Sequence, residues 1–105
     1  MPYSVYVIEL SPDVRSVAKF TKSNPDQRED KPCVYVGQTA LTPEKRFAQH
    51  RAGYKGNGLV RKFGVRLRPR LYANLGPFEK RADAERAEKS LTERLRKRGY
   101  AVWSN

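Results

Sequence analysis

The sequence predicts a small α/β domain in which short strands alternate with helices. Two apolar runs, residues 3–10 and 33–36, are rich in β-branched and aromatic side chains, which favour strands. Residues 43–52 and 81–98 carry helix-capping signals or apolar side chains at helical spacing. At 105 residues, 38% of them hydrophobic, the chain is expected to form one domain over residues 1–105 with a modest core.

The first strand is expected at residues 3–10. Its side chains alternate between two faces that are both apolar, with Val5 on one face and Tyr6 on the other. Apolar cover on both faces is typical of a strand at the centre of a sheet. Residues 11–32 are mostly polar and contain turn signals, so we expect them to form a long surface loop or insertion.

A second strand is predicted at residues 33–36, with Gly37 as its end. The next helix is predicted over residues 43–52, because Thr42 is a favourable N-cap and Gly53 is a typical helix stop. The proline at position 43 suits the first helical position, where its missing N–H leaves no bond unmade.

The remaining elements follow from shorter signals. Residues 59–63 are compatible with a short helix, and residues 71–75 predict a third strand. Residues 81–98 predict a long helix that ends at Gly99, because apolar side chains recur there at helical spacing. Residues 100–103 are compatible with a final short strand packed on that helix.

The charge is strongly basic and unevenly distributed. Lysine and arginine number 22 against 11 acidic residues, so the formal net charge is +11. No acidic residue occurs between positions 45 and 78, while the same span holds nine cations: Lys45, Arg46, Arg51, Lys55, Arg61, Lys62, Arg66, Arg68 and Arg70. Such a run is often only a solvated surface, but its length and imbalance favour contact with the phosphate backbone of a nucleic acid.

The same composition excludes several other classes. The chain has one cysteine, Cys33, and one histidine, so it has neither an internal disulfide nor a zinc site built from histidine and cysteine. A thiol within an apolar run indicates a reducing, cytoplasmic setting. We find no signal-peptide pattern and no apolar run long enough to span a bilayer, so a membrane is not expected as a partner.

Arg46 and His50 form the first candidate site. They are four residues apart on the predicted helix and therefore share a face. An arginine can stabilise charge on a phosphate, and a histidine can orient or deprotonate a water molecule. The simpler interpretation is a surface helix with ordinary polar side chains.

Glu88 is the second candidate. On a helical wheel it lies about 40° from Ala84 and within the apolar stripe that continues through Leu91 and Leu95. A carboxylate is costly to bury unless it is paired or binds a metal. A salt bridge to a nearby arginine or a rim position would also explain it, whereas a single carboxylate suits hydrated Mg²⁺.

Tyr6 and Tyr35 form the third candidate, since each lies near the middle of a predicted strand. Aromatic residues in strands usually belong to the core. Both phenols nevertheless carry a hydroxyl that needs a partner when buried, and a phenol beside a cation can give up its proton to act as a base.

Taken together and in order, these residues resemble the GIY-YIG nucleases. The resemblance extends over almost the whole chain and is carried by Tyr3-Ser4-Val5-Tyr6-Val7, Tyr35-Val36-Gly37-Gln38-Thr39, Arg46-Phe47-Ala48-Gln49-His50, and Ala84 with Glu88 four residues later. The first triplet, Val5-Tyr6-Val7, lacks the family's glycine, and residues 8–34 separate the two triplets.

The resemblance implies a three-stranded antiparallel sheet flanked by helices and the hydrolysis of phosphodiester bonds. It implies that Glu88 binds Mg²⁺ or Mn²⁺, that Arg46 stabilises charge in the transition state, and that Tyr6 is the candidate general base. His50 and Tyr35 would orient the attacking water, with His50 remaining an alternative base. Gly37 and Asn105 would complete the structure of the active site.

The expected partner is a nucleic acid, with DNA favoured over RNA, and the choice between a monomer and a weak dimer stays open. Two other functions compete with a nuclease. One is a DNA- or RNA-binding module that kept the scaffold without catalysis, and the other is a basic ribosome-associated protein.

Overall fold

The computed structural model describes residues 2–53 and 58–104. Its strands are β1 (Ser4–Leu10), β2 (Cys33–Thr39), β3 (Gly64–Leu67) and β4 (Ala101–Ser104). Its α-helices are α1 (Ala18–Lys22), α2 (Pro43–Ala52), α3 (Gly58–Phe63) and α4 (Arg81–Lys97), and two 3₁₀ turns cover Pro12–Ser16 and Pro69–Leu71.

The four strands form one mixed sheet in the order β3-β1-β2-β4. β1 runs antiparallel to both β2 and β3, whereas β4 runs parallel to β2. The α/β class is therefore confirmed, and the predicted three-stranded antiparallel sheet is matched only in part, because β4 adds a fourth strand that runs parallel to its neighbour. The long helix α4 causes the difference, because it returns the chain so that β4 adds to β2 in parallel.

The third strand lies at Gly64–Leu67, so its prediction at residues 71–75 is wrong. Residues 69–75 instead form the second 3₁₀ turn and the turn after it, because Pro69 cannot donate to a strand ladder and fixes a turn-forming backbone angle. This strand could not be predicted from the sequence, because it is short, begins with glycine and contains Arg66 among its apolar residues.

Gly37 does not end β2, which continues to Thr39. It pairs with Tyr6 across the β1–β2 ladder. A β-carbon at Gly37 would lie 2.7 Å from the Tyr6 hydroxyl oxygen and 2.9 Å from Cε2 of Tyr35, distances that leave no room for a side chain. The glycine is needed for close packing of two phenol rings rather than for a turn.

The helices follow their sequence signals closely. Helix α2 has the predicted bounds, with the Thr42 hydroxyl accepting the Lys45 N–H at 3.2 Å and Gly53 in the left-handed region at φ 80°. Helices α3 and α4 confirm the predicted helices at 59–63 and 81–98, and the final strand is confirmed as β4. Val5, Tyr6 and the next two residues of β1 are at most 1% exposed, as expected of a central strand.

Residues 11–32 are more structured than the predicted surface loop. They contain the first 3₁₀ turn and α1, which bury Val14 and Phe20 completely. The Asn24 side-chain amide accepts the Val102 N–H at 2.8 Å and donates to the Val102 carbonyl at 3.0 Å. The segment therefore covers the outer edge of β4, which would otherwise expose unpaired backbone groups.

Replacing Gly37 by alanine is expected to destabilise the fold by about 1–3 kcal/mol, because the new methyl group must displace a buried phenol ring. Urea unfolding measures the loss. Gly58→Ala is the matched control, since a β-carbon there meets no heavy atom within 4 Å. Equal stability of Gly37→Ala and wild type would show that Tyr6 shifts without strain.

Candidate active site

Three buried side chains from three elements meet beside β1. Tyr6 on β1, Tyr35 on β2 and His50 on α2 are 1%, 0% and 0% exposed. The Tyr6 hydroxyl and His50 Nε2 are joined by a hydrogen bond of 2.9 Å. Ring centroids lie 6.1 Å apart for the two tyrosines and 5.6 Å apart for Tyr35 and His50, so the three rings form one packed cluster.

Strand register and a short connection explain why these residues converge. Tyr6 pairs with Gly37 and Ile8 pairs with Tyr35, so both phenols lie on the same face of the sheet, since directly opposed residues share a face. Helix α2 begins four residues after β2 ends. Its last turn places His50 against the two phenols.

Arg46 lies one helical turn before His50 and is half-buried. Its Nη1 donates to Gln49 Oε1 at 3.0 Å, which restrains the side chain along the helix. A hydrogen bond between Arg46 and Tyr6 lowers the pKa of the phenol, so the guanidinium also reaches the cluster. The arginine thus connects the buried rings to the surface.

Burial keeps the whole cluster uncharged at neutral pH. Loss of hydration raises the pKa of Tyr6 to about 12, although the charge of Arg46 and hydrogen bonds from Tyr35 and Arg46 act against this rise. Burial also raises the pKa of Tyr35, and the neighbouring Tyr6 and Glu88 add to that effect. The pKa of His50 falls to about 4, because burial and the nearby Arg46 both disfavour the imidazolium.

Glu88 lies on α4 within the predicted apolar stripe and is half-buried. Burial, with a smaller contribution from the charge of Glu85, raises the pKa of Glu88 to about 7. Its charge in turn raises the pKa values of Tyr6 and Tyr35, so the carboxylate lies near the phenol cluster. The acid that breaks the stripe is therefore brought to the same region as the tyrosines.

A groove of about 570 Å³ opens along one side of Glu88. Gln38 lines the same groove, and its buried Oε1 has no hydrogen-bond partner among the described residues. Gln38 is not among the residues predicted for the site. It is the one polar side chain on a face of β2 that otherwise carries Val34 and Val36. That break in alternation is the signal that would have identified it.

These two oxygen-bearing side chains fit a hydrated magnesium ion. In the described ranges, no group of three or more histidine, cysteine, aspartate or glutamate side chains is placed to hold a metal. Mg²⁺ keeps several waters and needs only one or two protein ligands, preferably oxygens. One partly charged carboxylate beside an amide oxygen without a partner meets that requirement.

Two of the cations predicted to contact nucleic acid are paired with an acid. Arg66 and Arg68 both form salt bridges with Glu9, at 3.7 and 3.0 Å. Five more of the cations predicted to contact nucleic acid are exposed: Lys45, Arg51, Arg61, Lys62 and Arg70. Lys55 and Asn105 lie outside the described residues. Within the described ranges no helix is long and apolar enough to cross a membrane.

Comparison with models of protein families matches residues 2–101 to the GIY-YIG catalytic domain, so the match covers nearly the whole chain. This domain defines a family of nucleases, and its members generally depend on a divalent metal ion. No curated protein and no solved structure matches the chain.

His50 is expected to make folding stability fall as the pH drops from about 6.5 towards 4, whereas the raised pKa of Glu88 has the opposite effect over much of the same window. His50 has a lowered pKa in the folded state, so the unfolded chain binds more protons in this window and acid favours unfolding. The free energy of unfolding in urea, measured across the window, gives the slope, to which one such group contributes up to ~1.4 kcal/mol per pH unit.

The control for this pH dependence is His50→Gln, which keeps a polar group and cannot be protonated. The variant keeps the opposing contribution of Glu88 and loses that of His50, so its stability should fall less than that of the wild type, or rise, as the pH drops. An unchanged slope would mean that carboxylates alone set the acid sensitivity.

Proposed function

We propose that this chain, which belongs to the GIY-YIG catalytic domain family, is a metal-dependent endonuclease that hydrolyses phosphodiester bonds in DNA. The observation that carries the proposal is the environment of one atom. The Tyr6 oxygen is hydrogen-bonded to His50 Nε2 and interacts with both Tyr35 and Arg46. A packing tyrosine needs one partner, whereas an imidazole acceptor together with two donors can both remove the phenol proton and stabilise the phenol oxygen.

Tyr6 acts as the general base through a relay. With His50 protonated at Nδ1, the Tyr6 hydroxyl donates to Nε2, while Tyr35 and Arg46 donate to the phenol oxygen. As the attacking water forms its bond to phosphorus, the phenol proton moves to Nε2, the Arg46 guanidinium moves from the phenol oxygen to the phosphoryl oxygens, and the proton of the water moves to the lone pair that Arg46 leaves on the Tyr6 oxygen. Since Tyr6 is only 1% exposed, one intervening water connects it to the nucleophile.

The pKa values explain why the relay is at rest in the free protein. A phenol with a pKa of about 12 does not transfer its proton to an imidazole with a pKa of about 4. The negative charge of a bound phosphate raises the pKa of the histidine and makes it a better acceptor. Substrate binding therefore activates the base. In the free protein the phenol proton stays on Tyr6.

Arg46 stabilises the charge that develops on the phosphoryl oxygens. It is half-exposed next to a buried cluster, so its guanidinium can bind the phenol in the free protein and turn to the phosphate when substrate is bound. A guanidinium presents several N–H donors in a fixed plane, which suits the oxygens of a phosphoryl group in the transition state. Tyr35 positions Tyr6 by donating to its oxygen.

Glu88 would hold the divalent cation, with Gln38 as a neighbouring oxygen donor in the same groove. When bound, Mg²⁺ or Mn²⁺ supplies positive charge that stabilises the leaving oxygen. The raised pKa of Glu88, about 7, means that the carboxylate is only partly ionised at neutral pH without a cation. Metal binding and proton release at Glu88 are therefore coupled.

The exposed cations of α2, α3 and the second 3₁₀ turn support a nucleic-acid substrate, because they lie on the elements that adjoin the cluster. Gly37 keeps the two phenols in contact, and Asn105 is retained as a candidate member of the site. DNA is the proposed substrate on charge and family membership.

Replacing Glu88 by glutamine should abolish metal-dependent nicking of supercoiled plasmid, since an amide binds a divalent cation weakly. Wild type is assayed with Mg²⁺, Mn²⁺ and a chelator, beside Glu88→Gln. Glu79→Gln, which removes an exposed acid outside the groove, is the charge control. Equal nicking by wild type and Glu88→Gln would remove Glu88 from the metal site.

A complete absence of cleavage in all three proteins would contradict the nuclease, once branched DNA and RNA had also been assayed. If the wild type then still bound nucleic acid in a salt-dependent way, the catalytically silent binding module would replace it.

Tyr6→Phe should lower the cleavage rate by about 10²–10⁴-fold, the usual contribution of a general base. Tyr35→Phe should lower it by roughly tenfold, because one hydrogen bond to the phenol oxygen is lost and the relay remains. Single-turnover cleavage of a plasmid at saturating protein compares the two variants. A larger effect at Tyr35 would exchange their roles, and a small effect at both would favour His50 as the base.

A further inference from the structure

A second cleft lies on the other flank of α4 from the Glu88 groove. It has a volume of about 360 Å³, and its floor is formed by leucines of α4 and of residues 71–75. Arg70, Arg94 and Arg98 line its rim, together with Asn74. On a helical wheel of about 100° per residue, Arg94 and Arg98 lie on the opposite side of the Leu91–Leu95 stripe from Lys89 and Arg96, which line the groove.

Among the residues that the structure describes, the three arginines have no acidic partner. No acidic side chain lines this cleft, and none of the three forms a salt bridge with any carboxylate of the described residues. Five other arginines do have carboxylate partners: Arg28, Arg66, Arg68, Arg81 and Arg86. The chain thus concentrates like charge at one concave place although acids are available elsewhere.

The helix dipole explains only part of this arrangement. Cations are favourable in the last turn of a helix, which accounts for Arg94 and Arg98. Arg70 belongs to the 3₁₀ turn at Pro69–Leu71, a different element, and nevertheless lines the same cleft. Like charges that converge from separate elements repel one another unless an anion lies between them.

We propose that this cleft is a second phosphate-binding site, which holds the backbone of a nucleic-acid segment across α4 from the bond that is cut. The proposal depends on the proposed nuclease function and extends it. Arginine forks bind phosphate oxygens in two-point contacts, and the Asn74 amide offers a further donor. The leucine floor suits the apolar faces of sugars.

The distance along α4 between Glu88 and the two arginines allows one substrate molecule to contact both. Six to ten residues of helix separate Glu88 from Arg94 and Arg98, which corresponds to about 9–15 Å along the axis. A duplex is wide enough to contact both flanks of one helix, whereas an isolated dinucleotide is not. The cleft therefore selects for an extended nucleic acid over short fragments.

The test measures binding of a fluorescein-labelled DNA duplex by fluorescence anisotropy at a series of salt concentrations. A chelator is present so that the duplex is not cleaved. Arg94→Gln with Arg98→Gln should weaken binding by about tenfold or more and reduce the salt slope by about two. Arg86→Gln with Lys97→Gln is the matched control, since it removes two cations from the solvent face of the same helix. This control should change affinity and slope much less.

Equal effects of the two double variants would overturn the proposal, because only the general field of the protein would then matter. Failure of the wild type to bind duplex would instead count against the nuclease itself. Circular dichroism checks that the variants fold. If the α4 variant does not fold, Arg70→Gln alters the same cleft from another element, and an unchanged affinity in that variant equally contradicts the site.

Discussion

The pairing of Tyr6 with Gly37 is the constraint on which the site depends. It puts a bulky phenol directly opposite a residue with no side chain, so the ring crosses the neighbouring strand and approaches Tyr35. A register shifted by one residue would turn Tyr6 to the opposite face of the sheet relative to its present partners, because side chains alternate along a strand. The short link between β2 and α2 then places His50 against both phenol rings, and this completes the cluster.

This cluster also resolves an apparent conflict in charge. The chain carries a formal charge of +11, yet the rings at its centre are neutral and nearly free of water. Arg46 separates the two regions, since it interacts with the buried phenol and reaches the surface. An attracting exterior and a poorly hydrated interior are both useful for phosphate chemistry, because charge interactions strengthen where water is excluded.

Much of this fold could be predicted from local signals. The Thr42 cap with Gly53 and the apolar stripe with Gly99 predicted two helices, α2 and α4, and the acid within that stripe made Glu88 a candidate. The position of β3 could not be predicted, because its pairing with β1 is a long-range event and its own pattern is masked by arginine. The residue types of the site were visible, whereas the shared phenol oxygen and the shifted pKa values depend on burial that only packing creates.

Asn24 gives the segment between the first two strands a further meaning. Its side-chain amide makes the two bonds that a neighbouring strand would make with Val102, so one residue substitutes for an entire strand at the open margin of the sheet. Arg96 also donates to Asn24 Oδ1 and thereby ties this seal to α4. Shortening the segment would free the same two backbone groups of Val102, and an unpaired strand edge is a place where another chain can add.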